Sequence, residues 1–219
     1  MPISAQPTPE AATSLSAAMR VGSADDHEAA EQASFVAELL DGNVNARGYA
    51  DYLLRLRMVY AAIEDAVRAR RDDQLVAAVY DPALERLAAI DADLDHWAPD
   101  ALRVVESPAA QAYCDRVAGL TWGGDLLAHH YTRYLGDLSG GQAIGRILDR
   151  TFGLDGAGLA LYEFPVRTKP YKDDYRARLD GLGLDAHDVN RVVDEVRTAF
   201  RLNQALFAEL GENLPGYRR

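Results

Sequence analysis

The chain has one cysteine, Cys114, in 219 residues. That excludes an internal disulfide and any multi-cysteine zinc or iron–sulfur site, and it suits a reducing compartment. No run of about 18 apolar residues occurs, so no membrane-spanning helix is predicted. Positive charge is also scarce, with 23 Lys and Arg against 34 Asp and Glu. The resulting net charge of −11 disfavours non-specific binding to nucleic acid and favours a well-dispersed protein. The opening residues, MPISAQPTPEAATS, have neither a basic nor an apolar signal region, and their Pro, Ser and Thr content predicts a disordered tail over residues 1–13. Strand signals are nearly missing, as are internal repeats and any linker long enough to divide domains.

What the chain does have is helical periodicity and, at 48% hydrophobic residues, enough apolar material for one core. Residues 14 to about 40 form an Ala/Leu/Glu-rich pattern interrupted near Gly22 and closed by the Asp41-Gly42-Asn43 turn. Residues 46–71 form a long amphipathic helix with Tyr49, Leu53, Leu56, Tyr60, Ile63 and Val67 on one stripe. Asp81-Pro82 starts a helix running to about Trp97, and Ser107-Pro108 starts another reaching Gly119. Residues 153–170 read as a loop-rich connection, 171–182 as a short charged helix, and 185–210 as a final helix turning Val192, Val196, Phe200 and Phe207 inward. The fold class is all-α, with seven or eight helices of unequal length.

The most informative stretch is HHYTRYLGDLSGGQAIGRILDR, from His129 to Arg150, where Gly136, Gly140 and Gly141 interrupt an otherwise helical pattern. Each glycine costs about 1 kcal/mol against alanine, so three forfeit roughly 3 kcal/mol, enough to kink or loosen the turn. Gly136 and Gly140 share one face and leave bare backbone, against which another helix or a broad, flat ligand can lie. Close helix packing accounts for an isolated pair, such as Gly136 with Gly140 or Gly141 with Gly145. The LSGGQ of Leu138 to Gln142 also resembles the signature motif of ABC-type ATPases. Such an ATPase needs a GxxxxGK[ST] phosphate loop, and the chain contains none. The full string HHYTRYLGDLSGGQ resembles the distal helix of the haem oxygenase family.

The resemblance runs from Arg20 to Phe207, is strongest from Tyr131 to Gln142, and owes little to the residues between Arg70 and Ser107. It implies a single-domain, multi-helix fold over residues 14–210, with haem held between a proximal helix and a glycine-kinked distal helix, and a C-terminal tail over 211–219. Five histidines are candidates for an axial ligand. His187 and His96 sit at helix ends and read as surface or capping residues, and His129 and His130 share the helix of the glycine patch. His27, in DDHEAAE, reads by itself as a solvated histidine among acids; the resemblance makes it the proximal iron ligand, with Glu31 four residues on beside its second ring nitrogen. By the same resemblance Arg20, Tyr131, Lys172 and Arg176 contact the propionates, Arg20 standing where lysine is more usual. Taken alone, Lys172 and Arg176 read as a solvated charged face. Gly136, Gly140 and Gly141 give the ring close backbone approach, and Tyr60, Arg133 and Asp137 hold ordered water beside it. Arg133 and Asp137 also suit an ordinary i,i+4 surface ion pair.

The function this implies is a haem oxygenase that opens haem with dioxygen, using electrons from a separate reductase or ferredoxin, to biliverdin, carbon monoxide and ferrous iron. Haem is then both substrate and cofactor, and opening at the α meso carbon is the family's usual choice. Eukaryotic members commonly carry a C-terminal membrane anchor, whereas this sequence ends in GENLPGYRR, so no anchor and a cytoplasmic location are expected. Two other readings remain: a haem storage or carrier protein on the same scaffold, and a helical interaction protein packed through its glycines.

Overall fold

The computed structural model describes residues 14–219; the N-terminal tail expected over 1–13 lies outside them. In chain order come α1 (Leu15–Gly22), α2 (Ala24–Glu31), α3 (Ser34–Leu40), α4 (Ala46–Ala69), α5 (Gln74–Ala77), α6 (Leu87–Trp97), α7 (Pro108–Ala118) and α8 (Gly123–His130). After two wide turns follow α9 (Gln142–Phe152), α10 (Thr168–Asp180), α11 (Ala186–Glu212) and α12 (Leu214–Tyr217). Among the described residues there is no strand, only an isolated bridge between Val44 and Arg218.

Two long helices organise the rest. α11 packs against α1, α2, α3, α7 and α8, while α4 packs against α6, α7 and α8. The α4 stripe of Tyr49, Leu53, Leu56, Tyr60, Ile63 and Val67 is buried throughout. Removing such side chains from water contributes about 1.5–3 kcal/mol each. Asn45 caps α4 by accepting a hydrogen bond from the Gly48 amide (2.9 Å), and Ser107 caps α7 by accepting from Ala110 (3.1 Å).

Three expectations change. The helix expected to run on from Pro82 is divided: Asp81 caps a single 3₁₀ turn over Pro82–Leu84, and α6 starts afresh at Leu87. The division has a tertiary cause. Glu64 on α4 accepts the amides of Arg86 (2.5 Å) and Leu87 (3.0 Å), and the buried Arg86 guanidinium donates to the carbonyls of Ala83 (3.1 Å), Leu84 (2.9 Å) and Glu163 (2.6 Å). Residues 211–219 are not a tail. α11 runs on to Glu212, α12 follows, and Leu214 and Tyr217 are buried; the Tyr217 ring fills the space left by Gly48.

The third change concerns the glycine-rich helix. It is continuous from α8 to α9, but residues 131–135 and 137–141 wind as π-helix. Gly136 keeps ordinary right-handed angles (φ −60°, ψ −48°), as does Gly141 (φ −54°, ψ −38°). The loosening expected from three glycines therefore takes the form of a widened helix, not a left-handed break.

Candidate functional site

The widened helix forms one wall of a cavity of about 560 Å³, with α1, α2, α3, α10, α11, Tyr52 of α4 and the turn carrying Leu161 and Tyr162 contributing the others. A Cβ built on Gly136 or Gly140 meets nothing within 4 Å. These two glycines are therefore not a helix-packing seam, and the bare backbone they leave lines open space. Gly141 and Gly145 behave otherwise. A Cβ on Gly145 would approach the Tyr162 ring to 3.0 Å, and one on Gly141 would approach it to 3.5 Å. Tyr162 is thus packed under the second π turn, and Gln142 fastens it by donating to the Tyr162 carbonyl (2.8 Å).

Asp137 and Arg133 are buried on the cavity wall, at 7% exposure each. The surface ion pair that their spacing also suited is ruled out by that burial. The Tyr60 hydroxyl donates a short hydrogen bond to Asp137 and accepts from Arg133 Nε (3.2 Å) and Nη2 (3.0 Å). Arg133 stands 3.6 Å from the other Asp137 oxygen. Burial pushes the Asp137 carboxyl above the usual carboxylate range, against the opposing pull of Arg133, the Tyr60 hydrogen bond and Arg86. Tyr60 itself lies one layer behind the wall, and burial raises its phenol well above its ordinary value.

One member of this network was not foreseen. Asn203 on α11 accepts from Arg133 Nη1 (2.8 Å), donates to the Ala199 carbonyl (2.9 Å) and lines the cavity. Its signal in the sequence was a lone amide on the apolar stripe of Val196, Ala199, Leu206 and Leu210, all buried.

His27 reaches the same cavity from α2, half exposed, with its ring edge-on to Phe200 at 5.3 Å. Glu31 stands 3.7 Å from Nδ1, longer than the hydrogen bond expected for an orienting partner. Nδ1 is thus the nitrogen facing the carboxylate, which leaves Nε2 free. Among the described residues, no group of three or more His, Cys, Asp and Glu side chains is placed to hold a bare metal ion. A metal ion at His27 must therefore bring most of its ligands with it, as a porphyrin does.

Cations gather at the same mouth in spite of the overall acidity. Arg20, Tyr131 and Arg176 line the cavity, and the charges of Arg176 and Arg20 both act on the Tyr131 phenol, whose pKa burial nonetheless raises. Arg176 also pairs with Asp173 (3.3 Å). Lys172 is not part of the lining but donates to Ser139 (3.0 Å), which is. The remaining histidines lie elsewhere. His96 and His187 are exposed. His129 is buried against Glu195 (2.7 Å) and Tyr113 (3.1 Å), and His130 against Tyr175 (2.9 Å).

The chain as a whole is similar to known proteins in sequence and in fold. The sequence profile of the family described as Heme oxygenase matches residues 13–209. The heme oxygenase of Rhodella violacea is 34% identical over 211 residues, covering 92% of this chain and 88% of its own length. Human heme oxygenase 1 is 37% identical over 209 residues, covering 91% and 73%. Among solved structures, heme oxygenase-1 from Synechocystis sp. in complex with heme superposes with a TM-score of 0.88 at 36% identity, covering 93% of this chain and 95% of that one. The heme oxygenase of Leptospira interrogans gives 0.86 at 32% identity, covering 90% and 99%. A likeness that extends over nearly the whole chain, in sequence and in three dimensions, makes this protein a member of the haem oxygenase family.

Proposed function

We propose that this protein is a haem oxygenase, opening haem with dioxygen and externally supplied electrons to biliverdin, carbon monoxide and ferrous iron. The observation that carries the reading is the open space over Gly136 and Gly140 in a cavity that His27 shares. A flat macrocycle needs backbone-close approach on one face and a single neutral nitrogen ligand, and this cavity offers both. When bound, haem supplies both the ring to be opened and the iron at which dioxygen is reduced.

The chain's own residues do the rest. His27 offers Nε2 to the iron, with Glu31 beside Nδ1. Arg20, Tyr131 and Arg176 hold the propionates, and Lys172 joins them from its contact with Ser139; an acidic chain must place cations locally to receive a dianion. Gly136, Gly140 and Gly141 present backbone with no side chain to be oxidised. Asp137 positions a water as proton donor within the cavity. Its elevated carboxyl pKa suits a group that shares protons, and Tyr60, Arg133 and Asn203 fix its geometry. Electrons come from a separate reductase or ferredoxin. Among the described residues no helix is long and apolar enough to cross a membrane, and we place the protein in the cytoplasm.

The test is spectroscopic. Haem, dioxygen and a reductase or ascorbate are added, and loss of the Soret band with growth of a broad red-region biliverdin band is followed. Asp137→Asn, which keeps the side-chain volume, is expected to bind haem and to form biliverdin about 100- to 10,000-fold more slowly. A stable Soret complex that never yields biliverdin in the unmodified protein would identify a haem carrier instead.

A further inference from the structure

Tyr49 and Tyr162 form a buried pair that the haem-opening chemistry does not use. The Tyr49 hydroxyl donates to the Tyr162 hydroxyl at 3.2 Å, and among the described residues each hydroxyl makes no other hydrogen bond. Tyr49 is fully buried and Tyr162 nearly so, while the Tyr162 side chain lines the cavity under the π turn. As a packing device the pair is poor. Two phenylalanines would fill the same space, whereas two hydroxyls are desolvated here for one bond worth about 1 kcal/mol net.

The pair continues outward. The Tyr49 ring meets Trp97 edge-on, with centroids 4.9 Å apart, and Trp97 is half-buried on the protein's periphery. The indole N–H donates to the Gly158 carbonyl (2.7 Å), in a loop that is largely exposed from 153 to 158. Phenols and indoles are the side chains most readily oxidised by one electron without breaking a carbon skeleton. Three of them in van der Waals succession join the cavity to solvent.

We propose that Tyr162, Tyr49 and Trp97 are a one-electron relay, carrying electrons inward when a hydroperoxide reaches the cavity faster than the electron donor can supply it. This rests on the haem oxygenase reading only for the place where the hydroperoxide reacts. Reduction of one hydroperoxide to an alcohol and water takes two electrons and two protons, so the relay works twice per molecule. Tyr162 loses an electron, with its proton released to the cavity. Tyr49 then passes a hydrogen atom along the existing hydrogen bond, restoring Tyr162 as a phenol and becoming the phenoxyl radical. Trp97 reduces that radical. The proton that Tyr162 released is consumed by the hydroperoxide; the indole N–H proton is lost to solvent beside Gly158, while the phenolate formed on Tyr49 takes one back from Tyr162, which is reprotonated from solvent through the cavity mouth. A soluble thiol or ascorbate returns one hydrogen atom to the indolyl radical at the surface and is itself oxidised.

The relay can be run in reverse without haem. In the Trp122→Phe background Trp97 is the sole tryptophan, and azidyl radicals generated by pulse radiolysis oxidise it, azide being the reduced product. The expected result is a concentration-independent decay of the indolyl absorbance matched by growth of phenoxyl absorbance. Tyr49→Phe, which keeps the ring and removes only the hydroxyl, should lose that unimolecular phase. Its persistence in Tyr49→Phe would overturn the proposal. A second arm loads the chain with haem, adds hydrogen peroxide without a reductase, and locates oxidised residues by peptide mass spectrometry. Oxidation at Trp97 should fall in both Tyr49→Phe and Tyr162→Phe; equal oxidation in all three proteins would refute the link to the cavity. A protein that binds haem but makes no biliverdin would fail the functional reading and leave the haem-free arm standing.

Discussion

His130 makes folding stability depend on pH in a window where few other groups titrate. The ring is buried, stacked on Tyr175 (5.9 Å, 10°) and tilted against Tyr134 (4.2 Å), with Nδ1 2.9 Å from the Tyr175 hydroxyl. Protonating that nitrogen removes an acceptor and places a cation in an apolar layer. Burial, and then the charge of Arg178, lower its pKa from 6.5 to about 3, with Asp81 pulling weakly the other way. Between those values the unfolded chain binds a proton that the folded chain refuses. Stability is therefore intact above 6.5 and declines as the pH falls, by about 1.4 kcal/mol per pH unit. By pH 5 the loss is about 2 kcal/mol, and this figure holds for any folded pKa well below 5. Carboxylates with lowered pKa, such as Glu195 at about 2, act in the same direction but only below 4.5. Those raised by burial, Glu64, Asp93 and Asp137, act in the opposite direction. The control is His130→Gln, which cannot titrate but still accepts from Tyr175. Urea unfolding at pH 7, 6 and 5 should show wild type losing about 2 kcal/mol more than the variant across that range. Parallel pH profiles would show that the folded protein protonates His130 as readily as the unfolded chain does.

Five other outcomes follow from the site. Gly140→Ala places a methyl group in open space, so thermal stability should hold or rise by up to about 1 kcal/mol while haem titration shows weaker binding; Gly145→Ala, pressed against Tyr162, should instead lower Tm. His27→Ala should change the ferric haem spectrum and be partly restored by imidazole, and an unchanged spectrum would remove His27 from the ligand role. Lys172→Ala combined with Arg176→Ala should weaken haem binding or shift the biliverdin isomer ratio, since charge-assisted hydrogen bonds contribute about 1.5–3 kcal/mol each. Asp137→Ala leaves Arg133 buried without its counter-ion and should lower stability by about 3–5 kcal/mol in chemical denaturation, far more than a surface pair would.

Local signals in the sequence were reliable where local chemistry decides the structure. The break at Gly22, the α4 stripe and the Ser107-Pro108 start depend on periodicity and caps within a few residues, and all appear as expected. The division at Arg86 was invisible because its cause, the Glu64 carboxylate, arrives from α4. The π winding was legible only as a deficit of helix propensity around Gly136, which fixes a weak point but not the geometry it adopts. At the site, the glycine string marked the cavity wall. The layer behind it, Asn203 joined to Arg133, depended on α11 crossing the distal helix, and no spacing within either segment reports that crossing.

The last residues clasp the start of α4. The Asn45 amide donates to the Tyr217 carbonyl (2.6 Å), its side-chain amide reaches the carbonyls of Gly216 (3.1 Å) and Arg218 (3.2 Å), and the Arg219 amide donates to the Asn43 carbonyl (2.9 Å). The first turn of the helix carrying Tyr49, Tyr52 and Tyr60 is thus anchored by residues 171 and 173 positions further along the chain. During synthesis α4 lacks this anchor until residues 216–219 have been made. Carboxypeptidase trimming past Tyr217 should reproduce that unfinished state, and amide hydrogen exchange would register it as lost protection at Tyr49 and Ala50, whose amides lie in that turn.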